Sequence, residues 1–194
     1  KIVDHTADIN LTYSDIAREY LLREGLPADR IIKTGSPMFE VINRKLDDIN
    51  SSKILDELKL NKGEYFLVSA HREENIDIER NFFDLMNAVN VMAEYYDMPV
   101  IYSTHPRSAK FIEKRDFKFH SNVRSMKPFG FSDYNHLQQN AFCIVSDSGT
   151  IPEEASYFKF PAVSIRTSTE RPEAMDKGVF VIGSITANSV LQAV

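Results

Sequence analysis

The sequence predicts an α/β fold with a doubly wound parallel sheet whose two faces are both covered by helices. Strand-like apolar runs alternate with helical patterns from Glu64 onward. These runs lack the polar alternation of half-exposed strands, as expected when a parallel sheet is buried on both faces. With 194 residues, the chain has room for one good-sized domain plus part of another. We predict a doubly wound domain over residues 36–194 and a separate βα piece over residues 1–35.

The first elements are delimited by helix caps and turn residues. Ser14 is a good N-cap for the first predicted helix, and Gly25 is suited to end it. Gly35-Ser36-Pro37 then marks a turn. The predicted elements of this part are a strand over residues 8–13, a helix over 14–24, a strand over 30–34, and helices over 39–46 and 52–58.

The later elements follow a regular alternation. Tyr65–Ser69 is an apolar run of buried type, and the next segment has apolar residues at helical spacing. The same pair of patterns then recurs. The predicted strands cover residues 65–69, 99–104, 123–126, 142–146, 161–165 and 179–182, and the predicted helices cover residues 78–96, 108–115, 132–140 and 152–158.

Composition excludes several classes of protein. A net charge of −5 argues against a protein that mainly binds nucleic-acid backbone. No apolar run reaches the roughly 18 residues needed to span a membrane, and Lys1–His5 does not resemble a signal peptide, so a cytoplasmic protein is expected. The single cysteine, Cys143, lies in an apolar run, which leaves no disulfide within the chain. The chain opens without Met on a sequence typical of the middle of a protein, which predicts a fragment.

Polar and basic residues gather where the predicted strands end. In open α/β sheets, ligands bind beyond the carboxyl ends of the strands. The segments that follow four of the predicted strands, which we call strand exits, bring two histidines, four arginines and several small hydroxyl residues to that edge. This composition suits a phosphorylated ligand. The exits read His71-Arg72, His105-Pro106-Arg107, Ser146-Asp147-Ser148-Gly149-Thr150, and Arg166 through Arg171.

The exit after residues 142–146 fits an anion best. Pro152 is tolerated in the first turn of a helix, and the preceding Ser148-Gly149-Thr150 can direct backbone N–H groups at a phosphate. Glu153 and Glu154 would repel a phosphate, so at least one of them is better suited to accept hydrogen bonds from a diol such as a ribose. The alternative is a capped helix whose acidic residues favour its N-terminus, and this stretch alone leaves both interpretations open.

Other chemistries have weaker support. His71, Glu74 and His105 could be drawn as metal ligands, but no HExxH motif or cysteine cluster accompanies them. Asp147-Ser148-Gly149 lacks the first glycine of the G-x-S-x-G motif of serine hydrolases. The dinucleotide-binding motif GxGxxG and the phosphate-loop motif GxxxxGK[ST] are also missing from the sequence, which disfavours a Rossmann dehydrogenase and a P-loop ATPase. The two histidines could also be ordinary loop residues. The aromatic residues of the segment 129–134 could stack on a base or pack in the core.

Taken together, these motifs resemble the non-hydrolysing UDP-N-acetylglucosamine 2-epimerase family. Their order and spacing agree across essentially the whole chain, and residues 4–10 and 13–22 are similar to the UDP-N-acetyl-L-fucosamine synthase branch. The motifs are Gly35-Ser36-Pro37, Ala70-His71-Arg72-Glu73-Glu74-Asn75, His105-Pro106, Ser146-Asp147-Ser148-Gly149 with Glu153-Glu154-Ala155, and Thr169-Glu170-Arg171-Pro172-Glu173.

The resemblance implies one Rossmann-like half of a two-domain fold of the glycosyltransferase-B type. The chain would be the C-terminal UDP-binding domain, and residues 1–35 would be the last βα unit of the N-terminal domain. The implied partners are a UDP-sugar, that N-terminal domain and a second copy of the protein. No cofactor and no metal are implied.

The resemblance also implies roles for individual residues. Relatives often have a second glycine where Thr150 stands and an arginine where Glu73 stands, so the phosphate contacts could differ here. The implied residues are Ser148, Gly149 and Thr150 at the diphosphate, Glu154 at the ribose, Tyr134 near the uracil, Arg72 and His105 beside the diphosphate and sugar, His71 as the catalytic residue, and Glu74, Arg166, Glu170 and Arg171 around them.

The implied reaction inverts C2 of the sugar by eliminating UDP and adding it back. Most of the catalytic carboxylates in the family lie in the N-terminal domain, so we expect this chain to bind UDP without turnover. Two alternatives are the donor-binding domain of a glycosyltransferase and a nucleotide-sugar sensor without catalysis. His71 and the loop Thr169-Glu170-Arg171-Pro172-Glu173 favour the epimerase, because a sensor has no need of a proton-transferring histidine.

Overall fold

The computed structural model describes residues 1–166 and 180–194, and the chain divides into two compact units, residues 1–43 and 44–194. The division falls within a helix, Met38–Asn50 (α3). The assignment of residues 1–35 to a preceding domain stays a prediction.

The first unit contains a two-stranded parallel sheet. Its strands pair with Leu11 opposite Ile32. Ser14 is the N-cap of the second helix, since its hydroxyl accepts a hydrogen bond from the N–H of Ala17 at 3.1 Å. Gly25 follows that helix with φ +90°, a conformation that favours glycine. The elements are α1 (Ile2–Thr6), β1 (Asn10–Thr12), α2 (Asp15–Arg23) and β2 (Ile31–Lys33), followed by the start of α3.

The second unit contains a six-stranded parallel sheet, which confirms the predicted fold class. The strand order is β5-β4-β3-β6-β7-β8, the order of the Rossmann fold. After α3 the elements are α4 (Ile54–Leu58), β3 (Phe66–Ser69), α5 (Glu73–Ile76), α6 (Glu79–Tyr96), β4 (Val100–Ser103), α7 (Pro106–Lys114), β5 (Val123–Met126), α8 (Phe131–Asn140), β6 (Cys143–Ser146), α9 (Ile151–Phe158), β7 (Ala162–Ile165), β8 (Val181–Gly183) and α10 (Ala187–Ala193).

Two hydrophobic cores lie on opposite faces of this sheet. Phe66 and Val68 pack into one core with side chains of α6 and α10, whereas Tyr65 and Leu67 pack into the other with side chains of α4, α8 and α9. Successive strand residues point to opposite faces, so both kinds of position must be apolar. This requirement explains the continuous apolar runs of the sequence.

Three short helices of the structure were not predicted from the sequence. α1, α5 and α10 have five, four and seven residues, which is too short for a clear helical period. α7 begins at Pro106, two residues earlier than expected, because the ring of His105 caps it by accepting from the N–H of Arg107 at 3.2 Å. No helix in the described part of the chain is long and apolar enough to cross a bilayer.

Replacing Tyr65 with phenylalanine is expected to lower the free energy of unfolding by about 1 kcal/mol. The Tyr65 side chain is fully buried, and its hydroxyl donates to the carbonyl oxygen of Leu137 at 2.6 Å. Denaturant unfolding measures the loss. Tyr95→Phe is the matched control because the Tyr95 side chain is 71% exposed, and an equal effect of the two changes would refute the prediction.

Candidate functional site

The candidate site lies where the strand order reverses. β3 pairs with β4 on one side and with β6 on the other. In a Rossmann-like sheet, this reversal opens a crevice at the carboxyl ends of the two central strands. His71-Arg72 closely follows β3, and Asp147-Ser148-Gly149 directly follows β6. Two of the polar exits found in the sequence are therefore neighbours.

Asp147 joins these two exits. Its carboxylate is fully buried, and Oδ2 accepts hydrogen bonds from the N–H groups of His71 and Arg72, both at 2.9 Å, and from Nδ2 of Asn75 at 3.1 Å. The Asp147 carbonyl oxygen also accepts from Arg72 Nε at 3.1 Å. Sequence reasoning gave Asp147 no role of its own. The available signal was an ionisable residue directly after a buried apolar strand, where a charge requires partners.

His71 and His105 lie side by side in the candidate site. Their ring centroids are 5.3 Å apart, and the rings are inclined by 32°. Nδ1 of His71 lies 3.3 Å from Oδ1 of Asp147. Nδ1 of His105 accepts the capping hydrogen bond at the start of α7, so a neutral His105 carries its proton on Nε2. The structure therefore brings together the two histidines that the sequence singled out.

The predicted phosphate-contact residues form a tight turn before α9. The Ser148 N–H donates to Ser146 Oγ at 3.1 Å, and the Thr150 N–H donates to Ser148 Oγ at 3.3 Å. Thr150 has an ordinary helical backbone (φ −91°, ψ −11°), so its position does not require the second glycine of many relatives. Within the described residues, the Gly149 N–H makes no hydrogen bond.

Arg166 extends over this turn. A Cβ atom built on Gly149 would lie 4.0 Å from Arg166 Nη1, and the arginine is buried. An anion that approached the Gly149 backbone would therefore meet a guanidinium group, which favours phosphate. The sequence placed Arg166 only in the surroundings of the site, because chain order does not reveal which exit the side chain covers.

Glu154 is a buried acid on α9. Its Oε2 accepts a hydrogen bond from Nε2 of the fully buried Gln138 at 2.6 Å. Burial raises the pKa of Glu154, and the charge of Glu153 adds to that shift, whereas hydrogen bonds from Gln138 and Thr150 oppose it. The carboxyl is thus held in one orientation at an energetic cost, as expected of a group kept for binding.

Tyr134 projects its phenol toward the ends of β3 and β6. Burial raises the pKa of this phenol, with a further contribution from Glu154, and hydrogen bonding with the hydroxyls of Ser69 and Ser146 opposes the shift. The side chain as a whole is partly exposed. Tyr134 therefore lies close to Glu154 and to the last residues of β3 and β6, and its contact with a uracil stays a prediction.

The outer part of the site is rich in charge. Arg72 Nη1 lies 3.4 Å from Glu74 Oε1, and Arg107 forms an ion pair with Glu73 at 2.8 Å. A hydrogen bond from its own backbone N–H lowers the pKa of Glu74, and Arg72 and Arg166 lower it further. Glu74 and Arg166 also line a cavity of about 470 Å³, within the usual size range of ligand pockets.

Two predicted site residues, Glu170 and Arg171, lie outside the described residues. Within residues 1–166 and 180–194, no three or more His, Cys, Asp or Glu side chains form a group that could hold a metal ion.

Replacing Glu154 with glutamine is expected to raise the melting temperature at neutral pH, because the buried side chain then carries no charge. Because folding raises the pKa of Glu154, its stabilising contribution is complete below the unfolded-state pKa and is lost as the pH rises through the folded-state pKa. The advantage of glutamine should therefore disappear toward a pH of about 4. Thermal scans across pH test this, with the exposed Glu94→Gln as control; a pH-independent difference would contradict it.

Comparison with known proteins identifies the family of this chain. A family model described as UDP-N-acetylglucosamine 2-epimerase matches residues 1–194. The UDP-N-acetylglucosamine 2-epimerase of Methanocaldococcus jannaschii is 28% identical over 206 residues, which cover 100% of this chain and 55% of the relative. A UDP-N-acetylglucosamine 2-epimerase homolog of Methanococcus maripaludis is 32% identical, with 98% and 54% covered.

Solved structures show the same similarity. The UDP-N-acetylglucosamine 2-epimerase from Rickettsia bellii has 43% identity and a TM-score of 0.89, over 99% of this chain and 51% of that protein. The Methanocaldococcus jannaschii enzyme in complex with UDP-GlcNAc and UDP has 26% identity and a TM-score of 0.90, over 99% and 54%. The chain spans about half the length of the curated relatives it matches.

Proposed function

Because the chain belongs to the UDP-N-acetylglucosamine 2-epimerase family, we propose that it forms the UDP-binding half of a non-hydrolysing UDP-N-acetylhexosamine 2-epimerase. This isomerase would serve nucleotide-sugar synthesis for surface polysaccharides. The observation that carries the proposal is the meeting of the His71-Arg72 and Ser148-Gly149 exits at the strand reversal, where Asp147 connects them.

The described contacts support one placement of UDP. The diphosphate lies at the Ser148-Gly149-Thr150 turn beneath Arg166, because that turn offers hydroxyl groups and the Gly149 N–H next to a guanidinium. The ribose hydroxyls donate to Glu154, which Gln138 holds in place. The uracil lies near Tyr134, and His71, Arg72 and His105 border the diphosphate and the sugar.

The reaction proceeds by elimination, because the C2 proton of a UDP-sugar is not adjacent to a carbonyl and is too weakly acidic for direct inversion. As C2 loses its proton, the C1–O bond breaks, its electron pair leaves with UDP, and a C1–C2 double bond forms. Return of the proton to the other face of C2 and addition of UDP at C1 complete the epimerisation. Arg72 and the Nε2–H group of His105 stabilise the charge that develops on the departing diphosphate. His71 transfers a proton.

The acidic residues that complete this chemistry lie in the other half of the protein, so the 194-residue chain should bind UDP without turning over. Epimerisation by this chain alone would refute the proposal that catalysis requires acidic residues of the other half. With both halves present, solvent deuterium should appear at C2 of the UDP-sugar. UDP-N-acetylglucosamine, a UDP-L-talosamine derivative and a UDP-diacetamido uronic acid are the substrates to compare.

The two alternatives give different results in the same assay. A glycosyltransferase would pass the sugar to an acceptor without deuterium at C2, and a sensor would bind the nucleotide sugar without changing it. Either result would overturn the epimerase proposal. The homodimer and the cytoplasmic location expected from the sequence stay predictions.

A further inference from the structure

We propose that Asp147 is a positioning residue that determines which ring nitrogen of His71 carries the proton. The part that His71 then plays in the reaction rests on the proposed function, but its protonation pattern does not. The two oxygens of this buried carboxylate have different surroundings.

The Oδ2 atom of Asp147 is fixed by three donors. Two are the backbone N–H groups of His71 and Arg72, and the third is Nδ2 of Asn75. Backbone N–H groups can only donate, and Asn75 Nδ2 can only donate as well. Whatever atom occupies this position must therefore be an acceptor.

The other oxygen, Oδ1, faces the imidazole of His71. Oδ1 is buried, it has no hydrogen-bond partner within the described residues, and it lies 3.3 Å from His71 Nδ1. An ionised carboxylate offers only acceptors, so the favourable arrangement places a proton on Nδ1 of His71. A neutral His71 then has its lone pair on Nε2, the nitrogen that could act as a base.

His105 has the opposite arrangement. Its Nδ1 accepts from the N–H of Arg107, so a neutral ring carries its proton on Nε2. The neighbouring rings of His71 and His105, with centroids 5.3 Å apart, thus combine one Nε2 acceptor with one Nε2 donor. Such a pair suits a site that must accept a proton from one atom and donate a hydrogen bond to another.

Asp147→Asn separates this role from a purely structural one. The carboxamide oxygen must occupy the Oδ2 position, because three donors surround it. The NH₂ group then occupies the Oδ1 position and becomes a donor that faces His71 Nδ1. His71 must respond by moving its proton to Nε2, which turns the basic nitrogen into a donor. A carboxylate-to-amide change beside the histidine of a serine protease has a similar effect on the tautomer.

The test is NMR of the ¹⁵N-histidine-labelled chain, at a pH high enough to leave the rings neutral. We expect the Nδ1–H form of His71 in the wild type and the Nε2–H form in Asp147→Asn. The control is Asp56→Asn, at an exposed aspartate on α4, which should leave the wild-type form. An Nε2–H form of His71 in the wild type would by itself overturn the proposal. The proposal would also be overturned if His71 had the same tautomer in the wild type and in a folded Asp147→Asn variant.

A second readout separates this proposal from the proposed function. In a protein that contains both halves, Asp147→Asn should lower kcat about 10²- to 10⁴-fold, with KM changed much less. An unchanged kcat in a variant whose tautomer had switched would overturn the role of Asp147 in the reaction. Absence of UDP binding and of C2 exchange in the wild type would instead refute the proposed function, whatever the tautomer.

Discussion

His71→Asn is expected to lower epimerase turnover about 10²- to 10⁴-fold in a protein that contains both halves, since a positioned proton-transfer group contributes about that factor. Asparagine keeps a polar side chain of similar reach but cannot shuttle a proton. The Asp147 hydrogen bond to the backbone N–H of residue 71 does not depend on the side chain, so the loop should stay in place. Steady-state kinetics with deuterium exchange at C2 measure the loss.

The kinetic pattern distinguishes proton transfer from binding. A fall in kcat with KM nearly unchanged is expected if His71 acts in the chemical step. The matched control is His120→Asn. His120 precedes the amino end of β5, whereas the candidate site lies at the carboxyl ends of β3 and β6. Its Nδ1 accepts a hydrogen bond from the N–H of Asn122. Equal losses in the two variants, or a change confined to KM for His71→Asn, would contradict the assignment.

Glu154→Ala and Ser148→Ala are each expected to weaken UDP binding about 10- to 100-fold, as estimated for the loss of one or two hydrogen bonds with a charged partner. Glu154→Ala removes the buried carboxylate proposed for the ribose. Ser148→Ala removes a hydroxyl that also contacts Thr150 Oγ1 at 3.0 Å. Titration calorimetry with UDP gives both affinities.

The control for these variants is Ser156→Ala, which lies on α9 outside the proposed site. All three proteins should be compared at equal folded fraction, because loss of a hydrogen bond within the turn also lowers stability. An unchanged UDP affinity in both Glu154→Ala and Ser148→Ala would remove the basis for placing UDP at this turn.

Much of the fold could be predicted because the parallel sheet is buried on both faces. Tyr65–Val68 supplies both cores, so its apolar run admits few alternatives to a buried strand. Helix ends were less predictable, since α7 begins with a cap made by the ring of His105. Histidine is not a usual capping residue, and that signal is absent from the local pattern.

The site was only partly predictable. Sequence order placed His71 and Ser148 at strand exits, but their proximity depends on the strand order, which pairs β3 with β6. Three contacts of the site join distant parts of the chain. Asp147 accepts from the N–H of His71, Gln138 donates to Glu154, and Arg166 lies over Gly149. Such partners follow from three-dimensional packing around buried charges, which local sequence does not specify.

A crystal structure of the chain in complex with UDP tests the central claim most directly. We expect the diphosphate within hydrogen-bond distance of Ser148, Gly149 or Thr150 and close to the guanidinium of Arg166, with the ribose hydroxyls on Glu154. UDP bound elsewhere, for example in the part of the cavity next to Arg80 and Asp84, with the turn before α9 making no contact to phosphate, would contradict the account.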